Sequence, residues 1–150
     1  MGVNSFLDLD LSEQRLGAIE ALGWTVPTPI QAEAIPPGLA GTDVVGIAQT
    51  GTGKTGAFMI PALERLRSGG GLQVLALCPT RELAQQVADD TAALAMGTNI
   101  RTAAIFGGVG YGPQIEALES GFEVIVATPG RFIDHAHSKR VDLSNVNCLV

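Results

Sequence analysis

The chain has 150 residues, of which 46% are hydrophobic and 16% are charged. That length is enough for one compact domain with a substantial apolar core. Fifteen acidic residues against nine lysines and arginines give a formal net charge of −6. This balance excludes a nucleic-acid binder that works through a bulk basic field, so any grip on phosphate must be local.

The predicted elements alternate between helices and short apolar runs. Two helices, about 12–22 and 29–40, come first. The later helices cover roughly 54–67, 81–97, 112–120 and 129–138. The apolar runs, predicted as buried strands, are Asp43–Ile47, Leu72–Cys78, Arg101–Phe106, Phe122–Ala127 and one that begins near Val146. Nearly continuous apolar strands that alternate with helices predict an α/β fold, a parallel sheet flanked by helices.

Three helix starts carry threonine at the capping position. Thr28-Pro29-Ile30-Gln31 has the spacing of a capping box with proline at the first helical position. Thr80 precedes a helix that opens with Arg81, and Thr128-Pro129 repeats the arrangement. Ligands of open α/β sheets bind at the carboxyl ends of the strands, so chemistry is expected in the turns that follow them.

A phosphate-binding loop follows the first predicted strand. Ala48-Gln49-Thr50-Gly51-Thr52-Gly53-Lys54-Thr55 has the P-loop spacing, with Ala in the first glycine position. Gly51 and Gly53 let successive backbone N–H groups turn toward an anion, at the positive end of a helix. Lys54 is predicted to reach the β- and γ-phosphates, and the Thr55 hydroxyl to ligate Mg²⁺. The sequence therefore predicts nucleoside triphosphate binding.

Four further segments, in order with this loop, resemble the first half of the DEAD-box ATP-dependent RNA helicase core. The resemblance extends from Phe6 to Val150. The segments are Gly23-Trp24-Thr25-Val26-Pro27-Thr28-Pro29-Ile30-Gln31, Pro79-Thr80-Arg81-Glu82-Leu83-Ala84, Phe106-Gly107-Gly108 and Thr128-Pro129-Gly130-Arg131. This resemblance implies a RecA-like P-loop domain whose cofactors are ATP and Mg²⁺.

The resemblance also implies a nucleotide site. Gln31 corresponds to the adenine reader of the family's Q motif, since a carboxamide pairs one donor and one acceptor with adenine's N6 and N7. Phe6 corresponds to the upstream aromatic that packs on adenine, whereas Trp24 is interpreted as packing only. The implied ATP-binding residues are Phe6, Thr25, Gln31, Thr50, Gly51, Thr52, Gly53, Lys54 and Thr55, with Lys54 and Thr55 catalytic.

RNA is the second implied partner, gripped by its backbone without reading of base sequence. The glycine pair, Gly107 and Gly108, leaves room for a sugar-phosphate backbone to approach. The implied RNA-binding residues are Pro79, Thr80, Arg81, Gly107, Gly108, Thr128, Pro129 and Arg131.

The resemblance divides the chain at residue 40 and ends at residue 150. Residues 1–40 would be a Q-motif segment with two helices, and 41–150 the first RecA-like domain, incomplete at its C-terminal end. Neither the Asp-Glu-Ala-Asp motif nor the second RecA-like domain, a partner in catalysis, is present. We therefore expect the sheet to have a gap with unpaired edges, and the chain alone to be catalytically incompetent although the parent protein unwinds RNA.

Two other functions stay open on the residues alone. A different P-loop enzyme, such as a GTPase or small-molecule kinase, would need a guanine reader or a lid that we do not find. A non-catalytic nucleotide- or RNA-binding module acting through a partner is the second alternative. We expect surface roles for His135 and His137, and for the carboxylates Glu116, Glu119 and Glu123.

Neither a targeting segment nor a membrane partner is predicted. Residues 1–13 are acidic and lack the basic and apolar regions of a signal peptide. The uncharged runs 68–80 and 102–115 are too short, and too interrupted by Gly and Pro, to cross a bilayer. Cys78 and Cys148 are interpreted as reduced core thiols of a cytoplasmic protein.

Overall fold

A computed structural model describes residues 2–150, which form two compact units. The first unit runs to Arg65 and also includes Ala93–Thr98. The second consists of Leu66–Ala92 and Asn99–Val150. The boundary after residue 40 stays a prediction.

The first unit is built from helices. After a short 3₁₀ turn, Phe6–Asp8, come α1 (Glu13–Ala21), α2 (Pro29–Leu39) and α3 (Lys54–Glu64). Ser12 caps α1 by accepting a hydrogen bond from the Arg15 N–H at 3.2 Å. All three helices lie where the sequence predicts them, because caps and apolar spacing both mark their starts.

A buried ion pair joins the helix ends of this unit. Arg15 on α1 is 3% exposed and bonds through Nε to Glu64 Oε1 on α3 at 3.0 Å. Its Nη1 also donates to the Leu94 carbonyl oxygen. Glu64 accepts from the Ser12 N–H and hydroxyl as well, so both charged groups have further hydrogen bonds, which a buried ion pair requires.

The second unit is a parallel sheet with helices. Its four strands follow the order β2 (Thr102–Ile105), β3 (Val124–Ala127), β1 (Val74–Leu77), β4 (Cys148–Leu149). Val74 aligns with Val124 and Cys148, and Thr102 aligns with Val124. The helices α4 (Arg81–Leu94), α5 (Gly112–Glu119) and α6 (Pro129–His137) follow successive strands. This is the predicted α/β alternation.

The core of the second unit surrounds β3. All four of its residues have no exposed surface, the pattern of a strand that is covered on both faces. The cluster packed around it contains Leu72, Leu75, Ile105, Ile125, Ala127 and Phe132.

One predicted strand is wrong. Residues 43–47 belong to no strand or helix, and the side chains of Val45 and Ile47 are 93% and 92% exposed. An apolar run becomes a strand only when a neighbour accepts and donates its backbone hydrogen bonds. Within residues 2–150 no ladder reaches this run, because the sheet consists of β1–β4 alone.

Glu123, expected on a solvated face, is buried beside β3. It is 1% exposed, and its carboxylate accepts from the Gly69 N–H at 3.1 Å and from the Arg101 N–H at 2.8 Å. The Arg101 guanidinium adds an ion pair at 3.3 Å. Burial alone raises the pKa of Glu123, but these hydrogen bonds outweigh it and hold the pKa below its usual value.

The chain's candidates for redox or metal chemistry are few. Cys78 and Cys148 are both thiols, and burial raises the pKa of the Cys78 thiol, which lowers its reactivity. No cluster of three or more His, Cys, Asp or Glu side chains in residues 2–150 could hold a metal ion. Within the same residues, no helix has the length and apolar content to cross a membrane.

Replacing Glu123 tests the buried carboxylate. Glu123→Gln should lower the free energy of unfolding at neutral pH by about 1–3 kcal/mol, since charged hydrogen bonds are lost. Because the folded-state pKa is depressed, this stabilisation is present above the unfolded value of about 4.3 and disappears as pH falls through the folded value. The measurement is urea unfolding of the parent, Glu123→Gln and the exposed control Glu119→Gln over a range of pH. The difference in free energy of unfolding between the parent and Glu123→Gln should become smaller as the pH is lowered. A deficit that is independent of pH would contradict the assignment.

Candidate functional site

The phosphate loop is a tight turn at the start of α3. Gly51 and Gly53 have φ of 80° and 85°, a conformation that only glycine adopts readily. Gly53 is the N-cap of α3, and Lys54, its first residue, is exposed while Thr55 is half-buried. The loop therefore presents backbone N–H groups and a lysine at the positive end of an eleven-residue helix, which suits an anion.

Threonine side chains frame the same turn. The Thr52 hydroxyl donates to the Gln49 carbonyl oxygen, which closes the loop on itself. Thr50 and Gly51 are exposed and leave the outer side of the turn open. The six residues from Thr50 to Thr55 thus occupy one continuous surface of the first unit.

Gln31 binds directly to this loop from α2. Its Oε1 accepts from the Thr28 N–H at 3.0 Å, and its Nε2 donates to the Gly53 carbonyl oxygen at 3.1 Å. A Cβ added to Gly53 would lie 2.5 Å from Gln31 Nε2, so a larger residue would displace this amide and would also be strained at a φ of 85°. Each amide atom still has capacity for another hydrogen bond, as reading a base edge would require.

The α2 start forms one half of its predicted capping box. The Gln31 carboxamide supplies the bond to the Thr28 N–H. In contrast, Thr28 Oγ1 is buried without a hydrogen-bond partner and lies 3.0 Å from the Cβ position of Gly53. The Thr28 hydroxyl is therefore directed toward the phosphate loop and does not cap its own helix.

The aromatic residues of the Q-motif segment are packed together. Phe6 is 4% exposed and stacks on Trp24 with ring centroids 6.4 Å apart. Trp24 in turn covers the first turn of α3, since a Cβ on Gly56 would lie 2.8 Å from its ring. Trp24 packs as predicted, and Thr25 beside it is exposed. Adenine contact by Phe6 stays a prediction, because here its ring is covered.

In the second unit, the structure brings Arg81 and the glycine pair together. The Arg81 guanidinium lies 5.4 Å from the ring centroid of Phe106. A Cβ on Gly108, whose φ is 81°, would lie 2.6 Å from Arg81 Nη1. Thr80 caps α4 by accepting from the Leu83 N–H at 3.2 Å. This surface places a cation beside a backbone without side chains, an arrangement that suits a phosphodiester.

The third segment for which the resemblance implies RNA binding opens α6. Thr128 is the N-cap and Pro129 the first helical residue, but the Thr128 hydroxyl makes no capping bond, contrary to prediction. Arg131 donates through Nη1 to the Val109 carbonyl oxygen at 2.9 Å, and its guanidinium covers the Tyr111 ring at 4.0 Å. Arg131 therefore contacts the same loop as Arg81, residues 107–110, here called the glycine loop.

Comparison with known proteins identifies the family of this chain. The DEAD/DEAH box helicase family model matches residues 28–150. The chain belongs to the DEAD/DEAH box helicase family.

Two relatives show how much of the family's architecture the chain represents. It is 43% identical to DEAD-box ATP-dependent RNA helicase 30 of Arabidopsis thaliana, over 97% of this chain and 26% of that protein. A crystal structure of a DEAD box protein from the hyperthermophile Methanococcus jannaschii superposes with a TM-score of 0.92 at 40% identity, covering 97% of this chain and 40% of that one. The chain thus has the family's RecA-like α/β fold and spans about a quarter of the length of its curated relative.

Beyond the family motifs, a buried histidine lies next to the glycine loop. His135, expected at the surface, has no exposed area and bonds through Nε2 to Gln114 Oε1 at 2.9 Å. It follows buried Phe132 by three residues on α6, so both lie on the helix face that is turned inward. That spacing is the signal by which the sequence could have identified it.

Tyr111 completes this cluster, and no motif identified it. Its ring meets the His135 ring edge to face at 5.5 Å, and its hydroxyl donates to the Asp134 carboxylate. Arg140 approaches the same ring at 5.6 Å. Burial lowers the pKa of His135, and the charges of Arg140 and Arg131 lower it further, while Asp134 acts in the opposite direction.

The buried imidazole should make stability depend on pH. Because the folded-state pKa of His135 lies below its unfolded value, protons bind the unfolded chain preferentially and stability falls as pH drops below about 6.5. The contribution is at most about 1.4 kcal/mol per pH unit. Urea unfolding from about pH 7 to about pH 5 should show a smaller loss for His135→Gln than for the parent or the exposed control His137→Gln. Equal losses in all three proteins would refute this assignment.

Proposed function

We propose that this chain is the ATP- and RNA-binding first RecA-like domain of an ATP-dependent RNA helicase. The observation that carries the proposal is the hydrogen bond from Gln31 Nε2 to the Gly53 carbonyl oxygen, because it joins the proposed adenine reader to the proposed phosphate-binding turn. The name of the Arabidopsis relative, an ATP-dependent RNA helicase, agrees with this activity.

The nucleotide would lie along the outer side of the phosphate loop. Backbone N–H groups of residues 50–55 would bind the β- and γ-phosphates, with Lys54 neutralising their charge. Gln31 would read adenine, and Thr25 and Phe6 would border the base. Gln31 contacts both Thr28 and Gly53, so its amide is held in one orientation before a nucleotide arrives.

A magnesium ion would be held by the Thr55 hydroxyl together with phosphate oxygens and water. Such a ligand set fits Mg²⁺, which keeps several waters and binds few protein groups at phosphate sites. The half-buried Thr55 follows the exposed Lys54 at the start of α3, where the phosphates would bind. When bound, the ion would neutralise charge on the transferred phosphoryl group.

RNA would bind along the second unit by its sugar-phosphate backbone. Arg81 and Arg131 would supply charge on either side of Gly107 and Gly108, while Pro79, Thr80, Thr128 and Pro129 would contact the strand at two helix starts. This track explains how a chain of net charge −6 would bind RNA: its cations are few, and aromatic rings orient them.

Unwinding would be the work of the whole protein. We propose that a second RecA-like domain closes on this one when ATP and RNA are bound, and that the 150-residue chain alone neither hydrolyses ATP efficiently nor unwinds duplex. Its two thiols suit a reducing compartment such as the cytoplasm.

Nucleotide titrations test the ATP site. Lys54→Gln should weaken ATP and GTP binding alike by about tenfold or more, because a charge-assisted phosphate contact is lost. Gln31→Ala should remove the preference for ATP over GTP, and the matched controls Lys139→Gln and Gln14→Ala should bind as the parent does. A parent that prefers GTP, or an ATP preference that survives Gln31→Ala, would favour another kind of P-loop enzyme.

RNA titrations over a range of salt test the second surface. Arg81→Gln should weaken binding of single-stranded RNA several-fold and flatten the plot of log affinity against log salt by about 0.7, the value for one lost phosphate contact. Arg67→Gln, at another exposed arginine of the second unit, should change neither quantity. An unchanged slope for Arg81→Gln would exclude a direct phosphate contact.

A further inference from the structure

The glycine loop of the second unit is held at both ends by polar side chains. At one end the Phe106 carbonyl oxygen accepts from Gln114 Nε2 on α5 at 2.9 Å. At the other end the Val109 carbonyl oxygen accepts from Arg131 Nη1 on α6 at 2.9 Å. Gly107 and Gly108 lie between these two anchors, and both carbonyl groups are therefore fixed from outside the loop.

Gln114 connects the two anchors. Its Oε1 accepts from Arg131 Nη1 at 3.3 Å and from His135 Nε2 at 2.9 Å. An amide oxygen only accepts, so His135 carries its proton on Nε2, and Nδ1 is left buried without a partner. Three hydrogen bonds thus fix the amide in one orientation, and a single side chain couples the loop, Arg131 and His135.

We propose that Gln114, oriented by His135, is a positioning residue for RNA binding. It holds the Arg131 guanidinium and the glycine pair in the arrangement that receives an RNA backbone. Gln114 is only 6% exposed and acts through these neighbours without touching RNA itself. The proposal rests on the RNA-binding function proposed above.

The physical reason is the conformational freedom of glycine. A segment that contains Gly107, Gly108 and Gly110 loses more backbone freedom on ordering than any other composition would. Anchoring both ends before RNA arrives removes part of that cost from the binding step. A guanidinium fixed by two acceptors and an aromatic face likewise loses little freedom when a phosphate approaches.

The experiment measures affinity for single-stranded RNA in variants that keep side-chain volume. Gln114→Met removes the polar atoms, and His135→Leu removes the donor that orients the amide. His135→Gln is the conservative rescue, since its amide nitrogen can reach the position of Nε2. Gln14→Met, at an exposed position of α1, is the matched control. Each protein is titrated over a range of salt, and two-dimensional ¹⁵N spectra follow the Gly107 and Gly108 amides.

We expect Gln114→Met and His135→Leu to weaken RNA binding by about three- to tenfold, the effect of one hydrogen bond. His135→Gln and Gln14→Met should stay within about twofold of the parent. The salt slope should be unchanged in all four variants, because no phosphate contact is removed. The Gly107 and Gly108 amide signals should shift and broaden in the two weakened variants only.

A double variant separates positioning from general damage to the fold. If Gln114 acts through Arg131 and the glycine pair, then Gln114→Met combined with Arg131→Gln should lose less affinity than the two single losses added together. Additive losses, or parent affinity in Gln114→Met, would overturn the inference and leave RNA binding by this surface intact. A parent chain without salt-dependent RNA binding would instead overturn the proposed function.

Discussion

Buried polar groups of the backbone need hydrogen-bond partners, and in this chain buried glutamines supply them to three glycine-containing loops. Gln31 binds the Gly53 carbonyl oxygen of the phosphate loop. Gln73 accepts from the Arg67 N–H and donates to the carbonyl oxygens of Arg67 and Gly71. Gln114 binds the loop that contains the glycine pair. Glycine brings no side chain of its own, so a glutamine carboxamide from outside the turn satisfies backbone groups in each of these loops.

The same constraint explains how an acidic chain presents cations where phosphate is expected. Arg81 and Arg131 each lie over an aromatic ring, Phe106 and Tyr111 respectively, and each contacts the loop between Phe106 and Tyr111. Cation–π contact holds both guanidiniums, and oxygen acceptors also hold that of Arg131, without neutralising the charge, whereas a carboxylate partner would cancel it. Arg15 and Arg101, paired with Glu64 and Glu123, take that other role and serve the fold. A carboxylate partner therefore distinguishes Arg15 and Arg101 from the candidate ligand residues Arg81 and Arg131.

The sequence predicts the six helices, four of the strands and the family, because caps, periodicity and motif spacing are local properties. It fails where burial depends on distant residues. Residues 43–47 have the composition of a strand but lack a partner among residues 2–150. Glu123 and His135 were expected in solvent, yet each is buried against groups 20 or more positions away: Arg101 for the carboxylate and Gln114 for the imidazole. The hydrophobic pattern of a single helix or strand cannot reveal a pairing with a distant residue. The three-residue spacing of Phe132 and His135 on α6 does indicate that His135 is on the buried face, but it does not identify Gln114 as its partner.

Motif residues can be recognised from the sequence, whereas positioning residues are recognised from the structure. A motif residue such as Lys54 is recognisable because its ligand demands one chemistry at one spacing. A positioning residue has to match only its neighbours in the fold, so its identity follows from their geometry. At position 114 the side chain must donate to the Phe106 carbonyl oxygen and accept from Arg131 and His135. Glutamine has both functions on one planar group and is long enough to span two helices and a loop. Methionine would fill the volume but leave the Phe106 carbonyl oxygen and Arg131 without that partner, and glutamate would replace the donor by a second acceptor. The requirement for a mixed donor and acceptor at this position therefore comes from the contacts of Gln114 within the protein, and it would not depend on the sequence of any RNA that the proposed surface bound.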